Sequence, residues 1–221
     1  MRTKAVVFDM DGVLIDSEPY WQQAERMLWQ ELGISLSEAQ LRQTKGLRSR
    51  EMVAHWHRIY NMDGRSPDEL MRKYDEHMLG ILRRGIPLNP GVSDLLTRLK
   101  NLGMPLALAS CSSMEQIETA LGRHGILEAF DAVVSAAMDM PGKPHPEGYL
   151  ESARQLGIAP PACLAIEDSF NGLIAARAAL MKVVVMPAAE DAGQLRFGAA
   201  DLQIGSLEEL NQETLKTIID S

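Results

Sequence analysis

The chain has 221 residues, of which 46% are hydrophobic, and its formal net charge is −8. This length fits one domain, or one domain with a modest insertion, and the apolar content is enough for a sizeable core. The negative charge, with no basic tail or long basic run to offset it, argues against a partner that is nucleic acid or an anionic membrane surface.

The first predicted element is a short strand over residues 6–8, in the sequence VVFDMDG. Its continuous apolar run is typical of a strand that is buried on both faces in a parallel sheet. Asp9 and Asp11 follow it one residue apart, so in an extended chain their carboxylates project in the same direction. Two such groups repel each other unless a cation joins them or one takes a proton. The pair therefore needs a partner.

The segment from about residue 17 to 86 has the apolar spacing of helices that pack on one another. Two helix starts fit capping boxes, Ser35 to Glu38 and Ser66 to Glu69. Two apolar stripes have helical spacing; they consist of Met52, Val53, Trp56, Ile59 and Tyr60, and of Leu70, Tyr74, Met78 and Ile81. We predict that this helical block is an insertion after the first strand.

Beyond the sequence IPLNPG at residues 86–91, strand patterns alternate with helical patterns. The predicted strands are residues 105–110, 132–135, 163–168, 182–187 and a weak strand near 202. The predicted helices are residues 92–102, a helix from about 113, one that ends at 157, 170–180, and a final helix from about 206. Such alternation implies an α/β fold with a doubly wound parallel sheet, whose ligands bind at the carboxyl ends of the strands.

Polar residues follow the carboxyl ends of four predicted strands. They are Asp9 and Asp11 after the first strand, Ser110 after the second, Lys143 in the loop after the third, and Glu167 and Asp168 after the fourth. Several carboxylates at one point suit a hard cation, and Mg²⁺ prefers a few carboxylates together with water and phosphate oxygens. The sequence therefore predicts a magnesium site, in which Mn²⁺ or Co²⁺ can substitute.

Four short motifs occur in order along the chain: DMDGV, ALASC, GKPHP and AIEDS. Together they resemble the motifs of the haloacid dehalogenase (HAD) superfamily of aspartate-nucleophile phosphotransferases, in the branch with a helical cap after the first strand. The resemblance implies a Rossmann-like core domain formed by residues 1–16 and 87–221, and a helical cap domain formed by residues 17–86. The segments DMDGVLIDSEP, GLRSRE and GKPHPEGY are most similar to bacterial phosphatases that act on sugar and sugar-alcohol phosphates, namely 2-deoxyglucose 6-phosphate and hexitol phosphates.

The resemblance also implies a role for each acidic residue. Asp9 would attack phosphorus to give an aspartyl phosphate. Asp11 would protonate the leaving sugar oxygen and later take a proton from the attacking water. Mg²⁺ would be bound by a carboxylate oxygen of Asp9, the backbone carbonyl of Asp11, and Asp168. Glu167 would bind the metal directly or lie just outside its ligands.

By the same resemblance, three further residues would bind the phosphate group. Ser110 and the backbone N–H of Cys111 would donate hydrogen bonds to phosphate oxygens, and Lys143 would neutralise the nucleophile and the phosphate together. A cysteine-dependent phosphatase is not expected, because Ile117 stands six residues after Cys111, where such enzymes carry an arginine.

The basic loop KGLRSR, residues 45–50, has two interpretations. Taken alone it is a solvated loop. In the cap of the family this loop faces the site, so Lys45, Arg48 or Arg50 would contact the substrate. The sequence leaves both interpretations open.

Two other functions share parts of the pattern. Phosphomutases similar to β-phosphoglucomutase share the cap and the four motifs, but they carry a histidine soon after the first motif where this chain has Trp21, which favours water as the phosphate acceptor. Receiver domains of two-component signalling also accept phosphate on an aspartate, but they are much shorter and have no helical cap. We therefore expect a phosphomonoesterase.

Compartment and partners follow from what the sequence does not contain. No stretch approaches a membrane span or the apolar core of a signal peptide, and two cysteines are too few for a disulfide framework. We expect a cytoplasmic monomer whose partner is a small phosphorylated sugar or sugar alcohol, with no nucleic-acid or membrane partner.

Overall fold

The structure is a computed structural model that describes residues 2–44, 47–137 and 140–220. Contacts within the chain divide it into two compact units, an α/β unit of residues 1–16 and 87–221 and a helical unit of residues 17–86. The assignment of these units as a catalytic core and a cap stays a prediction.

The α/β unit is built on a six-stranded sheet in which every pair of neighbouring strands is parallel. The strands are β1 (Ala5–Phe8), β2 (Leu106–Ser110), β3 (Ala132–Ser135), β4 (Cys163–Glu167), β5 (Lys182–Val185) and β6 (Leu202–Gln203). Their order is β3-β2-β1-β4-β5-β6, so the strand order reverses between β1 and β4. The predicted doubly wound sheet is confirmed, and the loops after β1 and β4 flank its switch point, where ligands bind in such folds.

The helical unit contains four helices within the described residues. They are α1 (Glu18–Glu31), α2 (Glu38–Thr44), α3 (Ser49–Ile59) and α4 (Pro67–Arg84). The predicted stripe of α4 is buried throughout; its residues are Leu70, Tyr74, Met78 and Ile81. The stripe of α3 is narrower than predicted, because Ile59, at the end of the helix, is 48% exposed.

The helix starts of this unit differ from the predicted capping boxes. The cap of α2 is formed by Ser37, whose Oγ accepts from the Gln40 N–H at 3.3 Å while Gln40 Oε1 accepts from the Ser37 N–H at 3.0 Å. The predicted box at Ser35 is therefore wrong by two residues, because Leu36 is buried and the helix begins only after it. Helix α4 follows Ser66 as predicted, but the Ser66 side chain makes no capping hydrogen bond.

The remaining helices belong to the α/β unit. They are α5 (Val92–Asn101), α6 (Met114–Gly122), α7 (Glu147–Leu156), α8 (Phe170–Ala178) and α9 (Gln212–Asp220). Helix α7 packs on β1, β2 and β3, and α8 packs on β4 and β5. The last helix starts later than predicted, because residues 207–209 form a separate 3₁₀ turn capped by Ser206. None of the helices in the described ranges is both long and apolar enough to cross a membrane.

Candidate active site

The loop after β1 is a tight turn that carries the two aspartates. Asp9 continues the strand, and its N–H donates to the carbonyl of Ile166 on β4 at 2.9 Å. Gly12 has a φ of +75°, and a Cβ atom there would lie 2.1 Å from Oδ2 of Asp168. Only glycine allows the loop to approach Asp168 this closely. Asn89 holds the turn, because its Nδ2 donates to the carbonyl of Gly12 at 2.8 Å.

Three acidic residues meet where β1 and β4 end. One carboxylate oxygen from each of Asp9, Glu167 and Asp168 lies within 4.8 Å of the other two. Burial raises the pKa of Asp9 to about 8, against the opposing charge of Lys143, and burial with the neighbouring carboxylates raises the pKa of Asp168 well above its usual value. Crowded, buried carboxylate oxygens are the donor set that a hard divalent cation such as Mg²⁺ takes. The residues present therefore fit the predicted metal.

Lys143, from the loop after β3, lies against this acidic cluster. Its Nζ is 2.6 Å from Oδ1 of Asp9, and it forms a second ion pair with Oε1 of Glu167. Burial alone would lower the pKa of this lysine, but the two carboxylates overcome the effect of burial and hold its pKa well above the usual value. The ammonium group beside Asp9 is thus kept in its charged form.

Two serine residues link the end of β2 to the second aspartate. Ser110 is buried, and its Oγ accepts from the N–H of Ser112 at 3.0 Å. Ser112 Oγ donates to Oδ2 of Asp11 at 2.8 Å, and the Ser112 carbonyl accepts from Oγ of Ser135 at 2.7 Å. Cys111, between the two serines, is exposed. The segment after β2 therefore holds the Asp11 carboxylate in place.

The structure brings most of the predicted site residues into one region of the α/β unit. The residues in mutual contact or in the acidic cluster are Asp9, Lys143, Glu167 and Asp168; those joined through Ser112 are Ser110 and Asp11. The catalytic, phosphate-binding and metal-binding roles assigned to them stay predictions.

The basic loop of the helical unit is only partly described. Lys45 lies outside the described residues. Arg48 forms an ion pair with Glu51, and Arg50 lies 3.3 Å from Asp68. Both arginines thus have an acidic partner within their own unit, and contact with a substrate stays a prediction.

Three residues that the sequence analysis did not single out support Glu167. The Tyr149 hydroxyl donates to its Oε1 at 2.5 Å, and Ser169 Oγ donates to its Oε2 at 3.2 Å. A Cβ atom on Gly172 would lie 1.9 Å from Cδ of Glu167, so α8 presses its backbone against the carboxylate. Tyr149 and Ser169 stand within GKPHPEGY and AIEDS, and that position was the available signal for them.

The fold and the site define an α/β enzyme with an acidic centre at its topological switch point. Residues 6–186 match the family described as haloacid dehalogenase-like hydrolase, and the chain belongs to this family. It is 38% identical over 212 residues to hexitol phosphatase B of Escherichia coli, with 96% of each chain covered. The predicted family and the predicted enzyme class, a hydrolase of the phosphatase type, are confirmed.

Two solved structures show the same architecture. The β-phosphoglucomutase of Clostridium difficile has a TM-score of 0.84 and 26% identity, and the match covers 98% of this chain and 97% of that one. The CbbY protein of Rhodobacter sphaeroides in complex with xylulose-(1,5)-bisphosphate has a TM-score of 0.81 and 27% identity, with 96% and 97% covered.

Proposed function

We propose that this protein is a Mg²⁺-dependent phosphomonoesterase that hydrolyses sugar and sugar-alcohol phosphates, hexitol phosphates and 2-deoxyglucose 6-phosphate among them. The observation that carries the proposal is the ion pair between Asp9 Oδ1 and Lys143 Nζ at 2.6 Å, beside two further clustered carboxylates. This contact joins a buried carboxyl group to an ammonium group at the point where the fold binds ligands. The similarity to hexitol phosphatase B supports the substrate class.

Asp9 is proposed as the nucleophile and Asp11 as the general acid and base. An oxygen of Asp9 would bond to phosphorus while the bond from phosphorus to the sugar oxygen breaks, and Asp11 would give that oxygen a proton so that the sugar leaves as an alcohol. Water would then attack the aspartyl phosphate and lose its proton to Asp11, which releases inorganic phosphate and restores Asp9. Ser112 would hold the Asp11 carboxylate through its 2.8 Å hydrogen bond.

Other residues would stabilise the charge that develops on the phosphate. Lys143, fixed beside Asp9, would balance the charge of the nucleophile and of the phosphate oxygens. Ser110 Oγ and the Cys111 N–H would donate hydrogen bonds to phosphate oxygens. We also propose that residues 17–86 act as the cap that selects among substrates, since the reacting phosphate is common to all of them.

The metal would be held by side chains of the acidic cluster. Carboxylate oxygens of Asp9 and Asp168, with the backbone carbonyl of Asp11, are the proposed ligands. When bound, Mg²⁺ would supply the positive charge that lets a phosphate group lie next to several carboxylates.

A phosphomutase is the second candidate, because the β-phosphoglucomutase of Clostridium difficile shares the whole architecture. Trp21 supports hydrolysis over phosphoryl transfer between sugar positions, since the mutase family carries a histidine at that place. The two functions differ in their products: a hydrolase releases inorganic phosphate, whereas a mutase returns an isomeric sugar phosphate.

A screen for phosphate release over hexitol, hexose, pentose and triose phosphates tests the proposal. We expect sustained release that is highest for hexitol and hexose phosphates, that stops on chelation and that returns with Mg²⁺. Asp9→Asn should abolish turnover with the circular dichroism spectrum unchanged, and Asp11→Asn should slow both chemical steps. Turnover that survives Asp9→Asn or exhaustive chelation would contradict the mechanism. An isomerised sugar phosphate without phosphate release would identify a mutase, and a single stoichiometric phosphorylation would identify a receiver.

A further inference from the structure

We propose that Tyr149 is a positioning residue of this site, whose hydroxyl fixes the Glu167 carboxylate so that Lys143 stays against the nucleophile Asp9. The inference rests on the proposed function only in taking Asp9 as the nucleophile. It does not depend on which phosphate ester is the substrate.

The Glu167 carboxylate accepts hydrogen bonds and an ion pair from donors on four residues. Its residue is 0% exposed, and its Oε1 accepts from the Tyr149 hydroxyl and from Lys143 Nζ. Its Oε2 accepts from the backbone N–H of Asp168 at 3.1 Å, and from the N–H and Oγ of Ser169 at 3.3 and 3.2 Å. These five donors exceed the about four lone-pair sites that a carboxylate offers, so its acceptor capacity is used in full. Glu167 is therefore placed to orient its neighbours.

Steric contact removes the freedom that hydrogen bonds leave. The backbone of Gly172 lies so close that a Cβ atom there would be 1.9 Å from Cδ of Glu167. Tyr149 is 1% exposed, and its ring centroid lies 5.5 Å from Lys143 Nζ. Tyr149 thus contacts Glu167 with its hydroxyl and Lys143 with its ring face.

The consequence for catalysis follows from competition at one oxygen. The Lys143 ammonium group donates to both Asp9 and Glu167. The Tyr149 hydroxyl is a second donor to Oε1 of Glu167 and so partly neutralises that oxygen. Without that hydroxyl, the buried Oε1 has Lys143 as its remaining described donor. The ammonium group would then be drawn toward Glu167 and away from Asp9, where the charge is needed in the transition state.

The test is the steady-state kinetics of Tyr149→Phe with p-nitrophenyl phosphate at saturating Mg²⁺. The variant keeps the ring and loses only the hydroxyl. We expect kcat to fall by about tenfold and KM to change by less than about twofold, because the lost contact acts on the chemical step. Tyr60→Phe is the matched control: its hydroxyl, in the helical unit, accepts from Gln40 Nε2 at 2.7 Å, and its removal should leave kcat unchanged.

A double-mutant cycle separates positioning from a general loss of structure. In a Lys143→Ala background, Tyr149→Phe should lower kcat by less than about twofold further, because the residue through which it acts is absent. A purely structural defect would lower kcat by the same factor in both backgrounds and would overturn the inference. If the double variant does not fold, Glu167→Gln replaces Lys143→Ala, with the same expectation.

Binding of beryllium trifluoride, an analogue of a phosphoryl group bonded to a carboxylate, gives a readout without turnover. Calorimetry should show binding to the wild type with Mg²⁺, weaker binding to Tyr149→Phe and none to Asp9→Asn. Failure of the wild type to bind would overturn both the mechanism and this inference. Hydrolysis of p-nitrophenyl phosphate without hydrolysis of any sugar phosphate would overturn only the proposed substrate class. An unchanged kcat in Tyr149→Phe would overturn only the role of Tyr149.

Discussion

Replacement of Gly172 by alanine should damage the site through contact alone. Alanine at an ordinary helical position that held glycine usually stabilises a protein by about 0.4–1 kcal/mol. At Gly172 the new methyl carbon would lie 1.9 Å from Cδ of Glu167, whereas carbon atoms in contact prefer about 3.5–4.0 Å. A displacement of about 1.6 Å or more is therefore required. Movement of the Glu167 carboxylate would cost free energy, because it is ion-paired with Lys143 and accepts hydrogen bonds from Tyr149, Asp168 and Ser169.

The cost combines overpacking with disturbance of a buried ion pair. Overpacking a core typically costs about 1–3 kcal/mol, and breaking a buried charged pair about 3–5 kcal/mol. We expect Gly172→Ala to lose roughly 2–5 kcal/mol of unfolding free energy, which corresponds to a fall in Tm of about 4–20 °C for a chain of this size. Because the same displacement moves Lys143, kcat should fall as well.

Thermal unfolding and phosphate-release kinetics of Gly172→Ala are the assays, with Gly122→Ala as the matched control. Gly122 ends helix α6 in the same unit, and a Cβ atom there meets no atom within 4 Å. The control should keep the wild-type kcat and an equal or slightly higher Tm. If Gly172→Ala matches the control in both Tm and kcat, Glu167 is not held rigidly and the reasoning about its neighbours fails.

Three further predictions concern Lys143, the helical unit and a buried carboxyl group. Lys143→Ala should lower kcat/KM by about 30- to 900-fold for every phosphate ester alike, measured on three substrates of graded size, because its proposed role is to balance charge on the phosphate that they share. Arg50→Ala should change the ratio of kcat/KM between hexose and hexitol phosphates on the order of tenfold, which is more than it changes the turnover of a small ester. Equal losses for all substrates would mean that Arg50 contributes only a general electrostatic attraction. Burial raises the pKa of Glu25, against the hydrogen bonds that Thr44 and Trp56 donate. The folded protein thus binds the Glu25 proton more tightly than the unfolded chain, and the unfolding free energy falls as pH rises above the ordinary value of 4.5. With Glu25→Gln, the unfolding free energy measured in urea should fall less steeply as pH rises above about 4.5 than it does in the wild type, and an unchanged slope would refute this assignment.

The sheet and the strand ends were predictable because short-range patterns determine them. Apolar runs that end in Asp9, Ser110 and Glu167 mark buried parallel strands, and parallel strands bring their carboxyl ends to one edge of the sheet. In the register between β1 and β4, Phe8 pairs with Ile166, so the acidic residues at the ends of these two strands lie side by side. Local sequence patterns therefore determine which acidic residues come together.

Contacts made across the fold were not predictable from the same patterns. Tyr149 bonds to Glu167 across 18 residues of chain, and the contact depends on how α7 sits on the sheet. In the sequence Gly172 is an ordinary helical glycine, and its close contact with Glu167 arises only from the packing of α8 on β4. Ile59 has helical spacing with a buried stripe but lies where the core of its unit ends, so periodicity alone assigned it wrongly. Each of these outcomes is set by tertiary packing, which overrides local pattern.

The charge balance of the cluster explains why Asp9, at the end of a buried strand, needs a positively charged partner. With all groups ionised, Asp9, Glu167 and Asp168 bring three negative charges and Lys143 one positive charge, so the cluster has an excess of two negative charges. Burial raises the pKa of Asp9, and burial with the neighbouring carboxylates raises the pKa of Asp168, which is the direction that relieves this excess. A divalent cation bound there would match the excess charge and favour the ionised carboxylates, which is the form in which the proposed nucleophile Asp9 would react. Ionisation of Asp9 and binding of a cation would therefore favour each other, because both are governed by the repulsion within the cluster.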